Sequence, residues 1–190
     1  CIDPGTGNGT FASLTACQNN CGVPACIPDP QYVLPGIYPD SATGLSISYV
    51  GQSYSETITI IVPADTMVNV LGMMLLADLD SVVVTNVLGL PPNFIYDCSP
   101  SNCSFPGGSS SCMSVYSLVN PTTVDIGSYP LIVETTTYLQ TALLGQTSQN
   151  DIIDDYILNI VGVTPSWDCA NGSCIDPGTG NGTFASLTAC

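Results

Sequence analysis

Glu56–Val62 reads ETITIIV, polar Thr57 and Thr59 alternating with apolar Ile58 and Ile60. That two-residue period is the mark of a strand with one wet face and one buried face. Working outward, LSISYV (45–50), MVNVLGMMLLA (67–77), SVVVTNV (81–87), MSVYSLV (113–119), YPLIVETTTYL (129–139) and DDYILNIVGV (154–163) are further β-branched and aromatic runs. Turn-forming clusters separate them: LPPN, SPSN, FPGGSS, NPTT and DIGS. Seven or so strands between such turns, with no stretch of helical period or caps, predict an all-β fold, a β-sandwich spanning residues 31–165.

The sequence on either side has another texture. Residues 1–30 are rich in Gly, Pro, Asn and Cys, and residues 166–190 return to that composition. Both are expected to be loop-like linkers held by cross-links. They also share a sequence: Cys1–Cys17 reads CIDPGTGNGTFASLTAC, and Cys174–Cys190 repeats all seventeen letters at an offset of 173 residues. The expectation is a 173-residue unit cut from something longer, either a tandem array or a filament of like units.

Composition narrows the chemistry. Charged residues make up 8 % of the chain; all fifteen are Asp or Glu, and Lys, Arg and His are absent. A net charge of −15 argues against nucleic acid as partner, because phosphate is neutralised by Lys and Arg. Membrane insertion is not expected either, since the longest apolar run falls short of the roughly 20 residues a spanning helix needs. No basic stretch followed by an apolar one opens the chain, so no signal peptide is visible. At 45 % apolar residues the chain is expected to fold and bury a core. Without His, Lys or Arg, nucleophilic and phosphoryl-transfer chemistry lacks its usual base or clamp. Asp40-Ser41-Ala42 has the look of an aspartic-protease loop but has no second copy, and Pro39-Asp40 reads equally well as a turn. The chain is therefore read as no enzyme and no cofactor protein. Calcium is the remaining small partner, with Asp3, Asn8 and Thr10 around a Gly-rich turn and Asp151, Asp154 and Asp155 as a second acidic cluster.

Ten cysteines stand at positions 1, 17, 21, 26, 98, 103, 112, 169, 174 and 190. Two of them duplicate Cys1 and Cys17, leaving eight per unit, an even number that suits disulfides in an oxidising compartment. Zinc is the competing reading, but the chain has no histidine and no pair of CxxC knuckles. Position suggests two local groups: Cys169, Cys174, Cys190 and the next copy of Cys21, then Cys26, Cys98, Cys103 and Cys112. Cys17, the equivalent of Cys190, belongs with the first.

SWDCANGSCIDPGTGNGTFASLTAC, continued by QNNC in the first copy, resembles a short cysteine motif repeated in large secreted proteins of the Bacteroidota. Trp167, Cys169, Cys174, Asp176, Pro177, Gly178, Gly180, Gly182, Phe184, Leu187, Cys190 and Cys21 occupy the places of that motif. GLPPNFIYDC followed by DIGSYPLIVETT resembles the immunoglobulin-like modules of bacterial surface proteins, with Asn93 where those modules have Gly. The two resemblances imply a cell-surface or released repeat protein and carry over no catalytic residue. They also imply O-glycosylation at Asp-Ser/Thr-small/aliphatic triplets, which here gives Ser41, Thr66 and Ser81. Asn8, Asn102 and Asn171 head N-x-S/T triplets, and Asn181 repeats Asn8. The functional expectation is a structural subunit of an extracellular fibre whose partners are copies of itself. The alternative is a spacer or ligand-binding module of a long surface adhesin. In the run 68–79, Met73, Met74, Leu75 and Leu76 crowd more apolar side chains together than one sandwich face can bury, so at least two of them are expected to touch an adjacent repeat or protomer.

Overall fold

A computed structural model describes residues 26–70, 72–163, 166–170, 172–176, 180 and 182–190. The fold is an all-β sandwich. Its strands are β1 (Gly36–Tyr38), β2 (Ser48–Tyr49), β3 (Ser55–Val62), β4 (Asp65–Val70), β5 (Met73–Leu88), β6 (Phe94–Ser99), β7 (Ser104–Pro106), β8 (Ser109–Ser117), β9 (Gly127–Thr141) and β10 (Gly145–Val161). A hairpin of β11 (Asp168–Ala170) and β12 (Ser173–Ile175) follows. One sheet runs β1-β3-β8-β6; the other runs β2-β10-β9-β5-β4, with β7 added alongside β5. β2 pairs parallel to β10, and the other pairs are antiparallel.

The alternation in β3 delivers Ile58 and Ile60 to the space between the sheets, where Val115, Phe105, Leu158 and Ile160 are almost wholly removed from water. Leu131 and Val133 from β9 and Val84 and Val87 from β5 close the same core. Burying each such side chain stabilises the fold by about 1.5–3 kcal/mol. Thr59 departs from the expected wet face, being only 1 % exposed. The segment after Cys26 covers it: the amide of Asp29 donates to Thr59 Oγ1 at 2.9 Å. The disulfide Cys26–Cys112 ties that segment to β8, and Cys112 lies directly opposite Thr59 in the ladder. Thr59 is thus covered through long-range bonding that strand period cannot reveal.

Two further differences concern strand limits. The run 67–77 is not one strand: β4 and β5 pair as a hairpin, and Gly72 just before β5 has φ +85°. The polar stretch GQTSQN (145–150), outside the strand runs read from the sequence, is the first part of β10 and pairs residue for residue with Thr141–Thr136 of β9. The sandwich core includes or touches Leu79 on β5, Val133 on β9 and Ile153 on β10 and extends no further along them. Beyond those points the second sheet carries on as an arm of β4, β5, β9 and β10. Asn93, in the turn before β6, adopts φ +63°, the left-handed region that Asn tolerates better than most residues.

Candidate assembly and cross-link sites

The arm presents an apolar surface built by register. Met67 lies opposite Leu76 and Asn69 opposite Met74. Facing residues project to the same side of a sheet and side chains alternate along each strand. Asp65, Met67, Asn69, Met74, Leu76 and Asp78 therefore share one face, and all six are exposed. Three of them, Met67, Met74 and Leu76, are apolar and more than half exposed. Met73 and Leu75 point to the opposite side, where Met73 is exposed and Leu75 half-buried. The four contact candidates are thus split between two faces, Met74 and Leu76 on one and Met73 and Leu75 on the other. Met67, absent from that expectation, completes the exposed one. Knowledge that the run folds back on itself near Gly72 would have found it, since that places Met67 against Leu76.

The second site is the hairpin and the segment that closes over it. Ala170 and Ser173 pair in the hairpin, and the sequence between them is Asn-Gly, the pair that two-residue hairpins favour. Trp167 and Phe184 exchange two backbone hydrogen bonds of 2.8 Å. Ser166 Oγ accepts from the Gly182 amide at 2.6 Å. Asp168 Oδ1 accepts from both the amide and the hydroxyl of Thr183 at 2.8 Å, which holds the Asp168 carboxyl below its ordinary range. At Gly182 an added Cβ would fall 2.5 Å from the Trp167 nitrogen, so the backbones approach as only glycine permits. The bridge Cys174–Cys190 locks this arrangement. Cys169, opposite Cys174 in the hairpin, is a free thiol whose Sγ lies 3.1 Å from Cys190 Sγ.

Three disulfides join described residues: Cys26–Cys112, Cys98–Cys103 and Cys174–Cys190. They mark an oxidising, non-cytoplasmic setting. The first two fall within the Cys26, Cys98, Cys103 and Cys112 group and the third within the Cys169, Cys174 and Cys190 group. Cys1, Cys17 and Cys21 lie outside the described residues. No helix is long and apolar enough to cross a membrane among the described residues.

For calcium, Asp3, Asn8 and Thr10 lie outside the described residues. Thr183, the copy of Thr10, is committed to Asp168. Asp151, Asp154 and Asp155 are exposed and do not converge: the one group of three metal-ligating side chains among the described residues is Cys169, Cys174 and Cys190. Asp40 sits in an exposed turn, where bonds from Thr43 lower its carboxyl. Of the glycan acceptors, Ser41 and Asn102 are exposed, while Thr66 and Ser81 are half-buried within strand ladders. Asn8, Asn171 and Asn181 lie outside the described residues. Between the sheets lies a cavity of about 250 Å³ lined by Val82, Val84, Phe105, Leu131 and Ile153, with Asp151 among its polar lining. No sequence signal announced it, because its walls read as ordinary core.

Comparison with family models, with curated proteins and with solved structures finds no match in any of the three.

Proposed function

We propose that this chain is a structural repeat of an extracellular fibre, in which sandwich domains of immunoglobulin-like type are joined through disulfide-tied segments. The observation that carries the reading is the recurrence of one seventeen-residue segment on both sides of a single sandwich. A unit with the same joint at each end suits linear addition, and nothing in its chemistry calls for a substrate. The strand order supports the immunoglobulin-like assignment: a four-strand sheet faces a sheet whose short early strand, β2, runs parallel to the last, β10. The exposed arm face supplies the adhesive surface. Covering Met67, Met74 and Leu76 between copies would contribute several kcal/mol at roughly 25 cal/mol per Å². Uncompensated negative charge opposes random clumping between units, and glycans at exposed Ser41 and Asn102 would add to that effect.

Electron microscopy of the native assembly tests the proposal. A regular lattice with the arm seated on a neighbouring unit is the expected result; flexible strings of separate beads would contradict it. The apolar cavity favours the second reading, a ligand-binding module of a surface adhesin. Native mass spectrometry separates the two, because an adhesin module of that kind would retain a small apolar molecule with a fixed stoichiometry.

A further inference from the structure

Three sulfur atoms gather on one side of the hairpin. Cys169 and Cys174 stand directly opposite each other in the register of β11 and β12, and residues opposed in this way have Cβ atoms about 5 Å apart on one face. Cys174 is bonded to Cys190, and the sulfurs of Cys169, Cys174 and Cys190 all lie within 4.8 Å of one another. Cys169 is exposed and carries a free thiol. Its Sγ lies 3.1 Å from Cys190 Sγ, one of the two atoms of the disulfide. Thiol–disulfide exchange starts from such a contact: a thiolate attacks one sulfur of the bond and the other sulfur leaves. The contacts that bring Cys190 to the hairpin are made on the Cys169 side. Cys190 closes a single turn, its amide donating to the Ser186 carbonyl at 3.3 Å. The stretch leading to that turn is held at Gly182, Thr183 and Phe184, whose bonds run to Ser166, Asp168 and Trp167. These belong to β11 and the residues just before it, so transfer of the disulfide from Cys174 to Cys169 leaves them in place.

We propose that these three cysteines form a thiol–disulfide exchange site in which Cys190 passes between Cys174 and Cys169. Cys169 loses its proton to solvent and its thiolate attacks Cys190 Sγ. The Cys169–Cys190 bond forms, the Cys174–Cys190 bond breaks, and Cys174 leaves as the thiolate and takes a proton back from solvent. One disulfide and one thiol stand on each side of the step, so no oxidant or reductant is consumed. The segment that carries Cys190 stays tethered throughout, while the free thiol moves from one hairpin strand to the other. The exchange does not depend on fibre formation, so it fails or stands separately from the proposed function.

The test uses the full chain carrying Thr188→Ser, an exposed change that gives the Cys190 peptide a mass distinct from its Cys17 twin. The protein is held in mildly alkaline buffer without reductant, trapped with excess N-ethylmaleimide in mildly acidic denaturant, and digested with pepsin at low pH. Tandem mass spectrometry then locates label and bond. Two populations are expected: Cys174–Cys190 with label on Cys169, and Cys169–Cys190 with label on Cys174. Their ratio should stop changing as the alkaline incubation is prolonged. A Cys174→Ser variant is expected to hold Cys190 through Cys169, and a Cys169→Ser variant through Cys174. Label that stays on Cys169 alone, however long the incubation, would overturn the proposal. So would Cys169 bonded to any cysteine other than Cys190, or a chain in which neither Cys169 nor Cys174 takes up label. Label on Cys190 in the Cys174→Ser variant would contradict it too, and the labelling of the parent chain decides the matter if that variant does not fold.

Discussion

The sandwich and the terminal hairpin segment are held by different physics. Between the sheets, Leu158, Ile160, Val115 and Phe105 are almost entirely out of water, and the free energy of that burial is spread over many contacts. In the segment 166–190, Ser166 is the one residue classed as buried among those described. Its shape depends on one disulfide, a backbone bridge and the few polar bonds to Ser166 and Asp168. A small unit without a core is stable only when cross-linked. The difference teaches that one chain can place a durable body beside a segment whose integrity is set by redox state, and each region should fail under conditions that spare the other.

The largest expected effect belongs to the body. Leu158→Ala removes a fully buried side chain and should cost about 2–5 kcal/mol in denaturant unfolding, without changing fluorescence from Trp167, the one tryptophan of the chain. Gly182→Ala is the converse. Its new methyl group collides with the Trp167 backbone, so Trp167 fluorescence should report an opened joint while the sandwich keeps its stability to within about 0.5 kcal/mol. Reductant should likewise act on the joint first, through the part-exposed Cys174–Cys190 bond, since Cys112 of the sandwich bridge is fully buried. Titrating Trp167 fluorescence and far-ultraviolet dichroism together should give two transitions, the fluorescence one at lower reductant.

A smaller contrast is expected in pH. The Asp168 carboxyl is lowered by its bonds from Thr183, so its contribution is present above the ordinary carboxylate range and is lost as pH falls through the depressed value. The Tyr54 hydroxyl is raised to about 12, chiefly by burial. Its neutral form is the one the fold accepts, so stability is whole below pH ~10 and declines as pH rises from there toward the raised value. Acid should therefore loosen the joint, and alkali the sandwich. Trp167 fluorescence and thermal melts followed across both ranges check the assignment.

The sandwich was legible because Ile58, Ile60, Val84 and Val115 report period and burial within a few residues of sequence. The outer part of β10 was not, because residues 146–150 are exposed on both sides and a strand without a dry face has no hydrophobic alternation to read. Thr59 misled for the opposite reason, being covered by a segment thirty residues away. The exposed apolar face of the arm was half legible. Crowding of Met73, Met74, Leu75 and Leu76 signalled excess apolar area, but allocation to faces waited on the hairpin turn. The three bonds among described cysteines fall within the groups that position suggested, whereas the apposition of Cys169 and Cys190 required the register of β11 and β12.

Assembly of a Met74→Asp, Leu76→Asp double variant tests the fibre reading most directly. Both side chains are exposed, so the isolated unit should melt within a degree or two of the parent, given a stability change of roughly 0.5 kcal/mol or less. The account predicts that electron micrographs of this variant show dispersed units under conditions where the parent forms fibres. Fibres of unchanged number and lattice would contradict it.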